Sequence, residues 1–125
     1  MVTSIRKNVP LKWHFMTDKI VVFSTCASAD EAERLARRLV DERLAACVNI
    51  ISPVRSFYRW KGAVEDSVEW LLIIKSSRSL FESLRAVLES AHSYEVPEIV
   101  AIPIVEGSPN YLSWIEQELR PAEPE

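Results

Sequence analysis

Apolar positions along this chain recur at two different intervals, and the changes between them mark the elements. Ile20-Val21-Val22-Phe23-Ser24-Thr25 is a β-branched and aromatic run that predicts a buried strand. Beyond Ser28 the interval lengthens: Ala32, Leu35, Ala36, Leu39 and Val40 recur at the spacing of one helical face. Ser28 and Glu31 predict a capping box at the start of that helix, each side chain satisfying the other's backbone N–H. Arg34, Arg37 and Arg38 fall elsewhere on the wheel, as a solvated face would. Ala45 to Ile51 predicts a second strand, interrupted at Pro53, which cannot donate to a ladder and therefore points to an edge or a bulge. Val54 to Trp60 resumes extended structure, and Lys61-Gly62 signals a turn. Val64, Val68, Trp70, Leu72 and Ile74 then predict a long third strand paired back as a hairpin. Its stretch from Trp70 to Ile74 is apolar on both faces, which suits a sheet centre or an interface.

The second half repeats the first. Ser79 and Glu82 repeat the capping-box pair, and Leu80, Leu84, Val87, Leu88 and Ala91 form a second helical stripe. Pro97 to Glu106 predicts a fourth strand in which Pro103 forces a break or an edge position. Ser108-Pro109 is an N-cap followed by proline at the first helical turn, and Leu112, Ile115 and Leu119 then face inward on a short final helix. The order is β-α-β-β-α-β plus a helix. That is the α+β, ferredoxin-like plan: an antiparallel sheet with both helices on one face. The other face would stay open although its strands are apolar on both sides, so a partner subunit is expected to cover it.

Composition trims the functional classes. With 125 residues the chain is expected to hold one domain, from 19 to 120, after an N-terminal extension (1–18) without order and before an acidic tail (121–125). The segment before Asp18 holds no acid, which leaves a transit-peptide alternative, but it lacks the apolar core of a signal peptide; Met16 is the expected native start in place of Met1. A net charge of −3 with scattered basic residues offers no field for nucleic acid. Only two glycines argue against a phosphate-cradling loop, and no apolar run reaches the ~20 residues of a membrane span. Cys26 and Cys47 are the only cysteines, which fits a reducing cytoplasm.

Three groups of residues could carry chemistry. Cys47 lies within Leu44-Ala45-Ala46-Cys47-Val48-Asn49-Ile50, where a thiol is either a small buried hydrophobe or a ligand. Ala91-His92-Ser93-Tyr94-Glu95-Val96-Pro97-Glu98 packs imidazole, phenol and carboxylates into one loop; His92 either caps a helix or binds a metal. Phe57-Tyr58-Arg59-Trp60-Lys61-Gly62 interleaves aromatic and basic residues at the hairpin, where Tyr58 and Trp60 suit an interface. The chain has no CxxC, HxxxH or GxSxG motif and no acid-rich calcium loop, and no serine has an evident histidine and acid partner. Binding and assembly are therefore expected over catalysis.

On these same residues the chain resembles the CutA divalent-cation tolerance family. The matching stretches are Leu44 to Ile50, Ser56 to Gly62, Glu69 with Lys75-Ser76, His92 to Ile99, Pro103, and Gly107 through Tyr111-Leu112 and Trp114. The resemblance implies a ferredoxin-like protomer in a tight homotrimer, non-catalytic, linked to tolerance of copper and other divalent cations. It implies Cu(II) or another divalent cation as the ion bound, with His92 and Cys26 as ligands, although Ala91 replaces a second histidine found in some members and Ser93 stands where proline is usual. The resemblance of such trimers to PII signalling proteins implies an alternative: a sensor holding a small molecule or partner protein at intersubunit clefts near Tyr94, Glu95 and Trp114. The expected partners are other copies of the chain and a metal ion, with no nucleic acid and no membrane.

Overall fold

The computed structural model describes residues 17–121. Four strands, β1 (Lys19–Cys26), β2 (Cys47–Trp60), β3 (Ala63–Ser77) and β4 (Val100–Pro103), form one sheet in the order β2-β3-β1-β4. Every neighbouring pair is antiparallel. Helices α1 (Ala29–Asp41) and α2 (Phe81–Ala91) occupy the two crossovers, and α3 (Pro109–Glu118) follows β4. This is the α+β, ferredoxin-like plan with its additional C-terminal helix. Among the described residues no helix is long and apolar enough to cross a membrane.

The pleat decides which residues meet the helices. Ile20, Val22, Ser24 and Cys26 of β1 and Leu72, Ile74 and Ser76 of β3 point to one face and are buried. They pack with Leu35 and Leu39 of α1, Leu84 and Leu88 of α2 and Ile115 of α3 as one core. Each fully buried leucine contributes roughly 1.5–3 kcal/mol of transfer free energy. The final helix is tied down by polar contacts too: the buried Lys19 ammonium donates to Asp18 and Glu116, and Arg120 N–H donates to the Arg43 carbonyl. Burial disfavours the Lys19 charge, but the two carboxylates outweigh it and raise its pKa.

Several local expectations change. Of the first capping box only half forms: Glu31 N–H donates to Ser28 Oγ at 3.2 Å, while the Glu31 carboxylate turns to the Ala27 N–H and to Ser93. The second does not form. Residues Arg78–Leu80 make a 3₁₀ turn, so α2 starts at Phe81 with no side-chain cap, and Glu82 pairs instead with Arg85. β4 is shorter than Pro97 to Glu106 because Ser93 and Tyr94 bond to Glu31 and Glu69, drawing the preceding loop off the sheet. At the N-terminal boundary, Thr17 and Asp18 belong to the domain: Thr17 Oγ1 donates to the Ile104 carbonyl and the Asp18 carbonyl accepts from Arg78 N–H. The rest of the expected extension, including both candidate starts, and residues 122–125 of the tail lie outside the described residues.

Pro53 has a larger consequence. Ile51 faces Leu71, but Val54 faces Glu69, so two residues of β2, Ser52 and Pro53, oppose Trp70 alone. This bulge shifts the parity of the strand. Beyond it Ser56, Tyr58 and Trp60 share a face with Glu69, whereas Phe57 turns to the other side beside Val64 and Val68. The hairpin closes at Lys61 and Gly62, both with positive φ (51° and 84°), the geometry of a two-residue turn matched to strand twist.

Candidate functional site

Where β1 ends, the loop after α2 crosses in front of the sheet and meets the outer hairpin. Two carboxylates anchor it. Glu31 is buried at the start of α1, and its oxygens accept from Ser93 N–H (2.7 Å), Ser93 Oγ (2.9 Å) and Ala27 N–H (3.4 Å). Burial opposes its charge, but the Ser93 and Ala27 bonds and nearby His92 hold the carboxyl below its ordinary range. Proline at position 93 would lack both donors that Ser93 supplies. Glu69 is 6% exposed and accepts from the Tyr94 hydroxyl at 2.7 Å. Burial and the neighbouring carboxylate push the Tyr94 phenol up, so it stays a proton donor.

His92 is packed between these anchors, its side chain fully buried. Nδ1 accepts from Tyr94 N–H at 3.1 Å, which leaves Nε2 as the protonated nitrogen donating to the Thr25 carbonyl at 2.8 Å. This ring locks the end of α2 to the end of β1, and both nitrogens are engaged in doing so. Cys26 is 0% exposed within the core, and burial, then Glu31 and Glu69, push its thiol up to about 12. A thiolate ligand would have to form against both effects. Among the described residues no three His, Cys, Asp or Glu side chains group closely enough to hold an ion. The pair expected to ligate a metal, His92 and Cys26, therefore does not fit a preformed metal centre: one is committed to backbone hydrogen bonds and the other is a protonated core thiol.

The loop and the hairpin enclose a cleft of about 730 Å³ lined by Tyr58, Trp60, Glu69, Tyr94, Glu95 and Glu98, with Thr25 and Ser56 among its smaller walls. Four residues expected at a cleft or interface, Tyr58, Trp60, Tyr94 and Glu95, are brought together here. Trp114 is elsewhere, stacked on Tyr111 on α3 with ring centroids 5.6 Å apart. Cys47 is half-buried at the start of β2 near Asn49. Glu31 was legible only as a cap. Glu69 had a usable signal, an acid inside the apolar run Val68-Glu69-Trp70-Leu71.

A ferredoxin-like domain with a long hairpin, and a carboxylate-lined cleft at the hairpin's base, is the class that fold and site define. The chain belongs to the CutA1 divalent ion tolerance protein family, whose model matches residues 20–118. It is 44% identical over 95 residues to Protein CutA of Mus musculus, covering 76% of this chain and 54% of that one. It is 45% identical to the divalent-cation tolerance protein CutA of Thermus thermophilus, covering 78% and 94%. The chain thus spans about half the length of the mouse relative and nearly all of the bacterial one. Among solved structures, the Thermus thermophilus divalent cation tolerance protein superposes with a TM-score of 0.80 at 43% identity, covering 82% of this chain and 99% of that one. CutA1 from Oryza sativa gives 0.81 at 40%, covering 85% and 97%.

Proposed function

We propose that this chain acts in divalent-cation tolerance as a homotrimer, without catalysing a reaction. One observation carries the reading: beyond the part that the 93–98 loop covers at Glu69, the sheet face opposite the helices is apolar and, among the described residues, has no helix or strand across it. Strand register puts Val21 and Phe23 of β1, Leu71 and Ile73 of β3, Ile51 of β2, and Val100 and Ile102 of β4 on that face. Val100 and Ile102 are each 51% exposed. A contiguous apolar surface across four strands favours association. A closed ring of copies would cover it and shelter the β2 edge as well. Light scattering on the purified chain tests this: a mass of three 14.3 kDa copies supports it, and a monomer at micromolar concentration overturns it.

Divalent cations enter this proposal as ions that the assembled protein meets, not as a cofactor held by His92 and Cys26. Residence in the cytoplasm is part of the same proposal, supported by two free cysteines. The second reading, a small-molecule sensor, is favoured by the cleft between the loop and the hairpin.

A further inference from the structure

We propose that the outer hairpins stack head to tail in the assembly, with the Arg59 side of one copy lying against the acid-lined cleft of the next. The proposal rests on the trimer reading and supplies a contact that reading leaves unspecified. It also fills, from within the assembly, the cleft that a sensor would offer to a ligand.

Strand pairing gives the hairpin two unlike faces. Beyond the bulge, Tyr58, Trp60 and Glu65 lie on the side of Glu69, and Phe57, Arg59, Val64 and Val68 lie on the other. The first face is aromatic and acidic. With the 93–98 loop it forms the cleft, whose lining holds Glu69, Glu95 and Glu98 and, among the described residues, no lysine, arginine or histidine. Glu69 is already satisfied by the Tyr94 hydroxyl. The open negative charge is therefore that of Glu95 and Glu98, both exposed and without a base beside them in the lining. The second face is apolar and carries a cation. Phe57, Val64 and Val68 stand exposed. Arg55 is committed to Asp66 through bonds of 3.0 and 2.6 Å, whereas exposed Arg59 keeps a 3.5 Å bond to the Gly62 carbonyl.

Each face offers what the other lacks. A guanidinium is drawn both to carboxylates and to tyrosine and tryptophan rings, and the cleft presents all of these. Phe57 and Val64, beside Arg59, find apolar partners in Val96 and Pro97 of the lining. A cleft of about 730 Å³ has room for such side chains. Two acidic faces set together would repel, which selects the unlike pairing. A contact between unlike faces repeats from copy to copy and stops only by closing a ring. The bulge at Pro53 builds this arrangement, since it puts Tyr58 and Trp60 on the side of Glu69 and Arg59 on the opposite side.

Light scattering over a dilution series of the full chain tests the proposal, with circular dichroism as the check on folding and urea added where dilution alone does not dissociate the trimer. Arg59→Glu should raise the concentration of half-dissociation by at least about tenfold, and Glu95→Arg combined with Glu98→Arg should do the same. All three residues are exposed, so the fold should hold. Uniting the three reversals in one chain should bring the midpoint back to within about threefold of wild type, because opposite charges again face each other. Midpoints unchanged by the separate reversals overturn the proposal while the trimer stands. Weakening by both sets without recovery in the united variant also overturns it, since Arg59 and the two glutamates then belong to different contacts. A wild-type dimer sinks the head-to-tail stacking, and a wild-type monomer sinks the trimer reading beneath it.

Discussion

The inner and outer halves of the β2–β3 hairpin are built from similar residues and meet different surroundings. On the inner half, Leu72 and Ile74 are completely buried beneath α1 and α2. On the outer half, Phe57, Val64 and Val68 project past the helices and are 64%, 66% and 54% exposed. Both halves carry strand-forming apolar residues, yet among the described residues only the inner one has helices packed over it. The difference teaches that the hydrophobic pattern of this protein runs past the surface its own helices cover, and that the bulge at Pro53 separates the two stretches. The cleft sits at that border, where Glu69 is the last fully covered residue of β3 before the outer half.

The comparison can be broken most forcefully from the inside. Leu84→Ala, in the core, should cost about 2–5 kcal/mol in chemical denaturation. Phe57→Ala should cost a single chain under ~1 kcal/mol, yet release copies from one another, read by light scattering. Similar costs for both would erase the distinction. At the border, Tyr94→Phe removes the hydrogen bond to the Glu69 carboxylate and should cost about 1.5–3 kcal/mol, measured the same way.

Acid sharpens the inner half. The folded-state pKa of Glu31 lies below its ordinary 4.5, so its contribution is fully present above that pH and is lost as pH falls through the folded-state value. Glu31→Gln should therefore flatten the loss of stability on acidification below pH 4.5 in a pH series of denaturation curves. An unchanged acid limb would remove Glu31 as the anchor of the 93–98 loop. The smallest expected effect concerns His92. Because both ring nitrogens serve the fold, His92→Ala should change Cu(II) affinity by less than about twofold at neutral pH, measured by calorimetry.

Most of the fold was legible in the sequence because its signals were periodic. The i, i+3, i+4 stripes of α1 and α2, and the Lys61-Gly62 turn between two strand runs, correspond to the elements found. Capping was less legible. Ser28-Glu31 and Ser79-Glu82 look equivalent in sequence, but Glu31 is captured by Ser93, 62 residues away, and Ser79 falls inside a 3₁₀ turn. A tertiary partner decided the first, while the second gave way to a local 3₁₀ turn and the Glu82–Arg85 pair. In the site, aromatic residues near the hairpin pointed to Tyr58 and Trp60, but not to the side they occupy, which depends on the parity change at Pro53. His92 and Cys26 stood out by chemical type alone. Burial and hydrogen bonding, which set whether a donor is free, are properties of the assembled fold.

The central claim is that the outer hairpin is covered by other copies of the chain, and hydroxyl-radical footprinting read by mass spectrometry tests it most directly. In the wild-type protein at micromolar concentration, Phe57, Tyr58 and Trp60 should be oxidised far more slowly than their exposure in one chain implies, and oxidation should rise when Val64→Lys separates the copies. Fast oxidation of these three rings in the wild-type protein, unchanged by Val64→Lys, would contradict the account.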